Sequence, residues 1–343
     1  MIYLDNAATT TPMFFRADYE EYWKNANTGY AYKESKLLTK ATEKIKNCLH
    51  VKGGHVLFFR GASEAIEWLA HKFCTEEVYC SPYEHDSVYE VSDYILDNER
   101  VQKTFDMQEY ALYCHQLVNP ITGDIWDIKK IIEDKHIIKS SQFVGVDITA
   151  AIGHMNLPTD LEDYCDALWF SGHKFYTEKN IGAMWISDKL YEFTGDKVHG
   201  TPDIQGILML ADAMDYVCRN FRVTPLIIDL TNELSNLHIN YNILWKAENK
   251  LSTYVCALST YIYAINLPSV NADALQSYLA TKDIYIGTAH SACSAHDDFR
   301  VLEAMGYNKE TARQTIRVSF SIDNTIDDVV QLAREIQNFK EMF

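Results

Sequence analysis

The chain contains no run of about 18 or more apolar residues, so nothing in it reads as a membrane-spanning helix. Its first residues, Met1 to Asn6 (MIYLDN), lack the basic start and apolar stretch of a secretory signal, and a cytoplasmic location is the expectation. The eight cysteines, scattered from Cys48 to Cys293, form no CxxC pair. That spacing argues against a zinc site or a disulfide framework and leads us to expect reduced thiols and no bound metal. Basic residues are few: 31 Lys and Arg against 48 Asp and Glu give a formal charge of −17. Such a charge repels nucleic acid and anionic membrane surfaces and leaves a basic partner protein as an option. Internal repeats, low-complexity tracts and sustained heptads are also missing.

What is present is a chain of 343 residues, 47% hydrophobic, long enough for a large domain and a smaller one. Short apolar runs at Val56–Phe59, Val78–Cys80, Tyr110–Tyr113, Phe143–Val146 and Ala183–Ile186 alternate with amphipathic stretches such as Glu64–Phe73 and Ile125–Asp134. The alternation predicts an α/β fold with helices packed on a mostly parallel sheet. Beyond Val198 the pattern changes. A long helix is expected from Asp203 to about Arg222, then a second helical region through Thr224 and Pro225 to near Trp245. Strands within Ala257–Ile265 and a C-terminal helix from Ile326 to Phe339 complete a smaller α+β domain.

Several segments carry chemistry. Ser171 to Lys174 (SGHK) follows the apolar run Asp166–Phe170, and a lysine at a strand end in a partly desolvated pocket can attack an aldehyde to form a Schiff base. The ordinary alternative is a surface turn. Phe59 to Ala65 (FRGASEA) joins a strand to a helix whose first turn, with Ala62 and Ser63, would offer amide N–H groups and a hydroxyl to a phosphate. Helix capping by Ser63 explains the same residues. His85, in Glu84 to Ser87 (EHDS), could stack on a flat ring and move protons, or could be a solvated loop histidine. Asp147 ends an apolar strand, where it can pair with a protonated pyridine nitrogen or cap the following turn. Gly287 to Ser294 (GTAHSACS) sets Cys293 among small residues, suited to a mobile, attacking thiol; burial is the usual fate of cysteine. If Ile316, Val318 and Phe320 face the core, Arg317 lies on the other strand face, either clamping a carboxylate or paired with a glutamate.

Taken in order, Tyr3 to Thr10 (YLDNAATT), Gly61 to Glu64, Glu84 and His85, Asp147, Ser171 to Lys174, Gly182, Ser291 to Ser294, and Ile316 with Arg317 resemble the cysteine desulfurases of the class V, fold type I pyridoxal phosphate enzymes, over nearly the whole chain. The resemblance implies a large cofactor domain over residues 15–235, and a small domain over 1–14 and 236–343 that carries the cysteine loop. It implies that Lys174 forms the Schiff base with pyridoxal 5'-phosphate, His85 stacks on the ring and Asp147 meets the ring nitrogen. Ala62, Ser63, Ser171 and His173 would surround the phosphate, and Thr201 would reach the phosphate of a second subunit, implying a homodimer. Arg317 would bind L-cysteine, with Asn119, the asparagine next to Pro120 where the family usually has Asn. Cys293 would take its sulfur as a persulfide, bound for an acceptor such as an iron–sulfur scaffold or a tRNA-modifying enzyme. Two positions depart from the family pattern: Pro120 stands for the usual Asn and Ala150 for the usual Gln. A selenocysteine lyase, another class V lyase or aminotransferase, and a non-catalytic partner subunit remain as alternatives.

Overall fold

The strand Ala167–Ser171 is buried at every position, as are Gly182–Ile186 and Leu112–Gln116. Unbroken apolar runs of this kind require cover on both faces of a sheet, which helices supply. The computed structural model describes residues 1–73, 77–95, 110–134, 142–195, 200–220, 226–245, 254–289 and 299–342. They divide into two compact units.

The larger unit comprises Thr10–Leu117 and Asp127–Phe221. Its sheet has seven strands in the spatial order His55–Phe59, Gly182–Ile186, Ala167–Ser171, Phe143–Asp147, Leu112–Gln116, Val78–Cys80 and Tyr94–Ile95. All pairings are parallel except the two made by Gly182–Ile186. The helix Ala62–Lys72 lies on Ala167–Ser171 and Gly182–Ile186, with Ile66, Leu69, Phe73, Phe143 and Trp169 in one cluster. Tyr32–Cys48 and Ile204–Asn220 pack along each other. Asp147 and Ser171 end parallel strands at the carboxyl edge, where open α/β sheets bind ligands.

The smaller unit comprises Met1–Thr9, Val118–Trp126 and Arg222–Phe343. Its five-stranded sheet runs Ile2–Leu4, Ile284–Thr288, Thr315–Ser319, Ile262–Asn266, Asn242–Leu244, with only the first pair parallel. Leu226–Asn236 and Ala272–Ala280 both pack against Ile326–Met342. A two-stranded ribbon joins Asp124–Trp126 to Val255–Leu258. Hence the stretch Val118–Trp126 and all but the last residue of the helix Leu226–Asn236, which fall in the 15–235 expected for the large domain, belong to this unit.

Boundaries differ from the sequence expectation where backbone constraints intervene. Tyr110 adopts φ 67°, which no strand residue does, so the strand expected at Tyr110–Tyr113 is Leu112–Gln116. The stretch Ile125–Asp134 divides at Asp127, whose carboxylate accepts the Lys130 N–H at 3.0 Å and starts the helix Ile128–Asp134. The second helical region stops at Asn236, followed by His238 at φ 55° and the strand Asn242–Leu244. No helix among the described residues is long and apolar enough to cross a membrane.

Candidate active site

Ser171 closes the buried strand, and its Oγ accepts the Ala62 N–H at 2.8 Å, tying the start of the helix Ala62–Lys72 to the strand end. Gly182 must be glycine here: a Cβ would sit 2.6 Å from the Phe170 carbonyl oxygen and 2.8 Å from Gly61 Cα. Gly61, not Ser63, occupies the cap position, and Ser63 lies exposed in the first turn. Because the Ala62 amide is already engaged, the amides that end without an acceptor among the described residues are those of Ser63 and Glu64, beside the Ser63 hydroxyl. A helix start in this state favours an anion.

Gly172–Lys174 forms a short 3-10 turn with Lys174 half-buried. A Cβ on Gly172 would meet Thr177 Oγ1 at 2.4 Å and Leu210 Cδ1 at 2.7 Å, so the turn fits only without a side chain there. The turn is then clasped by Thr10. Its N–H and hydroxyl donate to the His173 carbonyl at 2.9 and 3.1 Å, and its Oγ1 accepts the Tyr176 N–H at 2.6 Å. Tyr176 is held at φ 73°, a left-handed conformation unusual for a bulky residue. Its carbonyl accepts the N–H groups of Met13 and Phe14 at 2.8 and 3.1 Å. The segment from Thr10 to Phe14 is thus a strap along the lysine turn.

His85 caps the short helix Asp86–Tyr89, its Nδ1 accepting the Ser87 N–H at 3.2 Å, which leaves Nε2 to carry the proton of the neutral ring. The loop is pinned from below: buried Glu84 accepts the Ser81 hydroxyl at 2.7 Å and the Gln116 N–H at 3.0 Å. Gln116 Nε2 in turn donates to the Tyr83 carbonyl at 2.7 Å. His173 is pushed down to about 4, chiefly by burial and further by Lys174, Lys179 and His85, so these charges share one neighbourhood. His154 is likewise lowered to about 4, by burial first, with Lys174 adding to it and a hydrogen bond to the Ala150 carbonyl opposing.

Asp147 Oδ1 accepts the Thr149 N–H at 2.8 Å, and its Oδ2 takes no donor among the described residues. Thr149 Oγ1 is buried with no hydrogen-bond partner. Capping and a waiting carboxylate oxygen therefore coexist at Asp147. Thr201 is exposed, accepts the Asn25 amide at 3.3 Å, and lines a cavity of about 410 Å³ with Arg60, Glu64 and Asn180.

In the smaller unit, every residue of Thr315–Ser319 is buried, so both faces are covered and Arg317 is 3% exposed. Its partner is not a glutamate: Nη2 contacts Asp5 Oδ1 at 2.8 Å and Nη1 donates to the Pro120 carbonyl at 3.1 Å. Arg317 Nε is buried without an acceptor among the described residues. Asn119 Oδ1 accepts the Ile121 and Thr122 N–H groups at 2.8 and 3.0 Å, holding the turn that contains Pro120. Cys293 lies outside the described residues.

The family profile described as aminotransferase class-V matches residues 2–332. The chain belongs to that family. A protein of Clostridium botulinum named cysteine desulfurase IscS is 24% identical over 96% of this chain and 91% of its own length. A protein of the same name from Shewanella halifaxensis is 24% identical over 91% of this chain and 84% of its own. Among solved structures, a NifS-like protein superposes with a TM-score of 0.82 at 23% identity, covering all of both chains. The cysteine desulfurase CsdA of Escherichia coli gives 0.73 at 19% identity, over 99% of this chain and 95% of its own. The fold of this class V chain is that of fold type I pyridoxal phosphate enzymes.

Sequence reasoning missed Thr10 as a clasp, Glu84 and Gln116 as supports, and His154 beside Lys174. The contacts of Thr10 with Tyr176, of Glu84 with Gln116 and of His154 with Lys174 join segments 166, 32 and 20 residues apart, so no local pattern announces them.

Replacing Thr10 with Val leaves the buried Tyr176 N–H without an acceptor, an expected loss of about 1–3 kcal/mol, whereas Thr10→Ser keeps the oxygen and most of the stability. Urea denaturation of the two variants measures the difference; equal losses would mean that the methyl group matters more than the hydroxyl.

His115, His154 and His173 each fall from 6.5 to about 4, so between those values the unfolded chain binds more protons than the folded one. The stability they contribute is complete above 6.5 and is lost as pH falls towards 4. Denaturation midpoints should decline across this window, and His154→Gln should flatten the decline; a pH-independent midpoint contradicts the neutral buried state.

Proposed function

We propose that this protein is a pyridoxal phosphate-dependent cysteine desulfurase, converting L-cysteine to L-alanine and passing the sulfur as a persulfide to Cys293. The observation that carries the reading is the Lys174 turn, clasped at the end of a buried strand next to a helix start with free amides. The names of the relatives agree with it.

The residues present fit the cofactor. Asp147 Oδ2 is open to receive a ring N–H, and the orphaned Thr149 hydroxyl has a polar partner to gain. The Ser63 and Glu64 amides, the Ser63 hydroxyl and the Ser171 hydroxyl proton suit a phosphate, with His173 beside them. Ala62 contributes no donor, its N–H being spent on Ser171. When bound, the cofactor supplies an electron sink for carbanion character on the substrate.

The chain's own groups do the rest. Lys174 would move protons at the substrate α-carbon, and Asp147 would keep the ring nitrogen protonated. His85, with Nδ1 accepting the Ser87 N–H, would lie against the ring and exchange a proton with the incoming thiol through Nε2. Arg317 would bind the substrate carboxylate through Nε, which has no acceptor among the described residues, while Nη1 and Nη2 already hold the Pro120 carbonyl and Asp5. The Cys293 thiolate attacks the sulfur of cysteine, an S–S bond forms and the C–S bond breaks, and alanine leaves after a proton returns to carbon.

A homodimer in a cytoplasmic setting completes the reading. Trp23, Tyr30 and Tyr32 are more than two-thirds exposed, an apolar surface in the same stretch as Asn25 and Asn27, which bond Thr201 and Gly200. A second copy covering that surface would bring Thr201 to its cofactor phosphate. A separate protein would then accept the sulfur from Cys293.

Purified protein given the cofactor should be yellow and, with L-cysteine and a thiol reductant, release sulfide and alanine in equal amounts. Lys174→Ala should slow this by about 10²-fold or more, and Cys293→Ala should abolish sulfide release without loss of colour. A colourless protein that takes up no cofactor would overturn the proposal; unchanged sulfide release in Cys293→Ala would remove that residue's role.

A further inference from the structure

The helices Tyr32–Cys48 and Ile204–Asn220 pack along each other, and each carries a cysteine at its C-terminal end: Cys48 is the last residue of one, Cys218 lies in the last turn of the other. Both thiols line one cavity of about 360 Å³, whose wall also includes Asn47, His50, Asp215 and Arg219. That volume lies within the usual range of small-molecule sites. Cys48 is buried and Cys218 is exposed, so one member of the pair meets solvent and the other stands behind it.

The two thiols interact directly, and the interaction is asymmetric. Both stand on the same cavity wall, where Cys48 draws the Cys218 thiol below its ordinary range against the opposing effects of burial and Asp215, and Cys218 and burial push the Cys48 thiol up. An exposed sulfur with thiolate character attacks; a protonated partner behind it waits. The other described cysteines lack this arrangement. Cys80 and Cys114 are neighbours on paired strands but have no exposed surface, and Cys256 is exposed but donates to the Ile125 carbonyl.

We propose that Cys48 and Cys218 form a thiol-pair site that reduces low-molecular-weight disulfides of the cystine type, closing into a disulfide between the two helices. The Cys218 thiolate attacks one sulfur of the small disulfide, forming a mixed disulfide and releasing one small thiolate. The Cys48 thiol, giving up its proton, then attacks the Cys218 sulfur and expels the second small thiolate. Two protein thiols are oxidised to one disulfide, and one small disulfide is reduced to two small thiols. The amino-acid character of the ligand follows from the rim, where the Asp215 carboxylate and Arg219 guanidinium stand 2.9 Å apart and can meet an ammonium and a carboxylate. The site does not depend on the desulfurase reading.

The test treats the intact protein with L-cystine, alkylates the remaining thiols and maps tryptic peptides, Cys48 and Cys218 falling in different ones. The expected result is a Cys48–Cys218 cross-linked peptide in the native sequence, and a cysteinyl adduct on Cys218 in Cys48→Ser. Exposed Cys256 is the internal control. Recovery of both peptides alkylated and unlinked while Cys256 is cysteinylated would overturn the proposal. So would a stable cysteinyl adduct on Cys218 of the native sequence without the cross-link, since Cys48 would then fail to resolve it.

Discussion

A lysine is useful as a nucleophile only if its backbone cannot drift, and at Lys174 the restraint comes from both sides of a fully buried strand end. Ser171 is fastened to the helix start through the Ala62 amide, and His173 and Tyr176 are fastened to Thr10. Each hydrogen bond contributes only about 0.5–1.5 kcal/mol net, but a buried amide left unpaired costs more, so the clasp is hard to open. The left-handed Tyr176 shows that the turn is held against its own backbone preference. Gly172 completes the restraint by letting Leu210 and Thr177 close in where any side chain would push them away.

The same short N-terminal stretch serves both units. Asp5 pairs with Arg317 in the smaller unit, and Asn6 and Ala7 bond Ser319 there, at 2.9 and 2.8 Å. Thr10 belongs to the larger unit and grips the lysine turn. The run Tyr3–Thr10 therefore matters through its hydrogen bonds rather than through any chemistry of its own. Among the described residues Arg317 Nε has no acceptor even with Asp5 and Pro120 at its other nitrogens, an arrangement that an arriving anion would relieve.

The layered architecture was legible because its strands are apolar on both faces and its helices amphipathic: Val78–Cys80 and the helix Ile204–Asn220 lie where the pattern puts them, to within a residue or two. Positions set by single backbone geometries were not. Tyr110 and His238 adopt positive φ without being glycine, and each shifted an element boundary. Ser63 has the chemistry of a helix cap, yet Gly61 takes that place because the chain must pass close against Gly182. Arg317 appeared as a residue of one strand face, but a sheet buried on both sides leaves no outward face for it. Lys174, Asp147 and His85 stand where the pattern puts them, at a strand end or the start of a turn; the contacts of Thr10 with Tyr176, Glu84 with Gln116 and Cys48 with Cys218 join segments distant in sequence and carry no such signal.

Everything proposed for the chemistry rests on Lys174 being the residue that holds the cofactor. Borohydride reduction of the protein after incubation with pyridoxal phosphate, followed by peptide mass mapping, locates the attachment directly. The pyridoxyl group should be found on Lys174; its recovery on a different lysine, or on none, would contradict the assignment of the turn as the catalytic anchor.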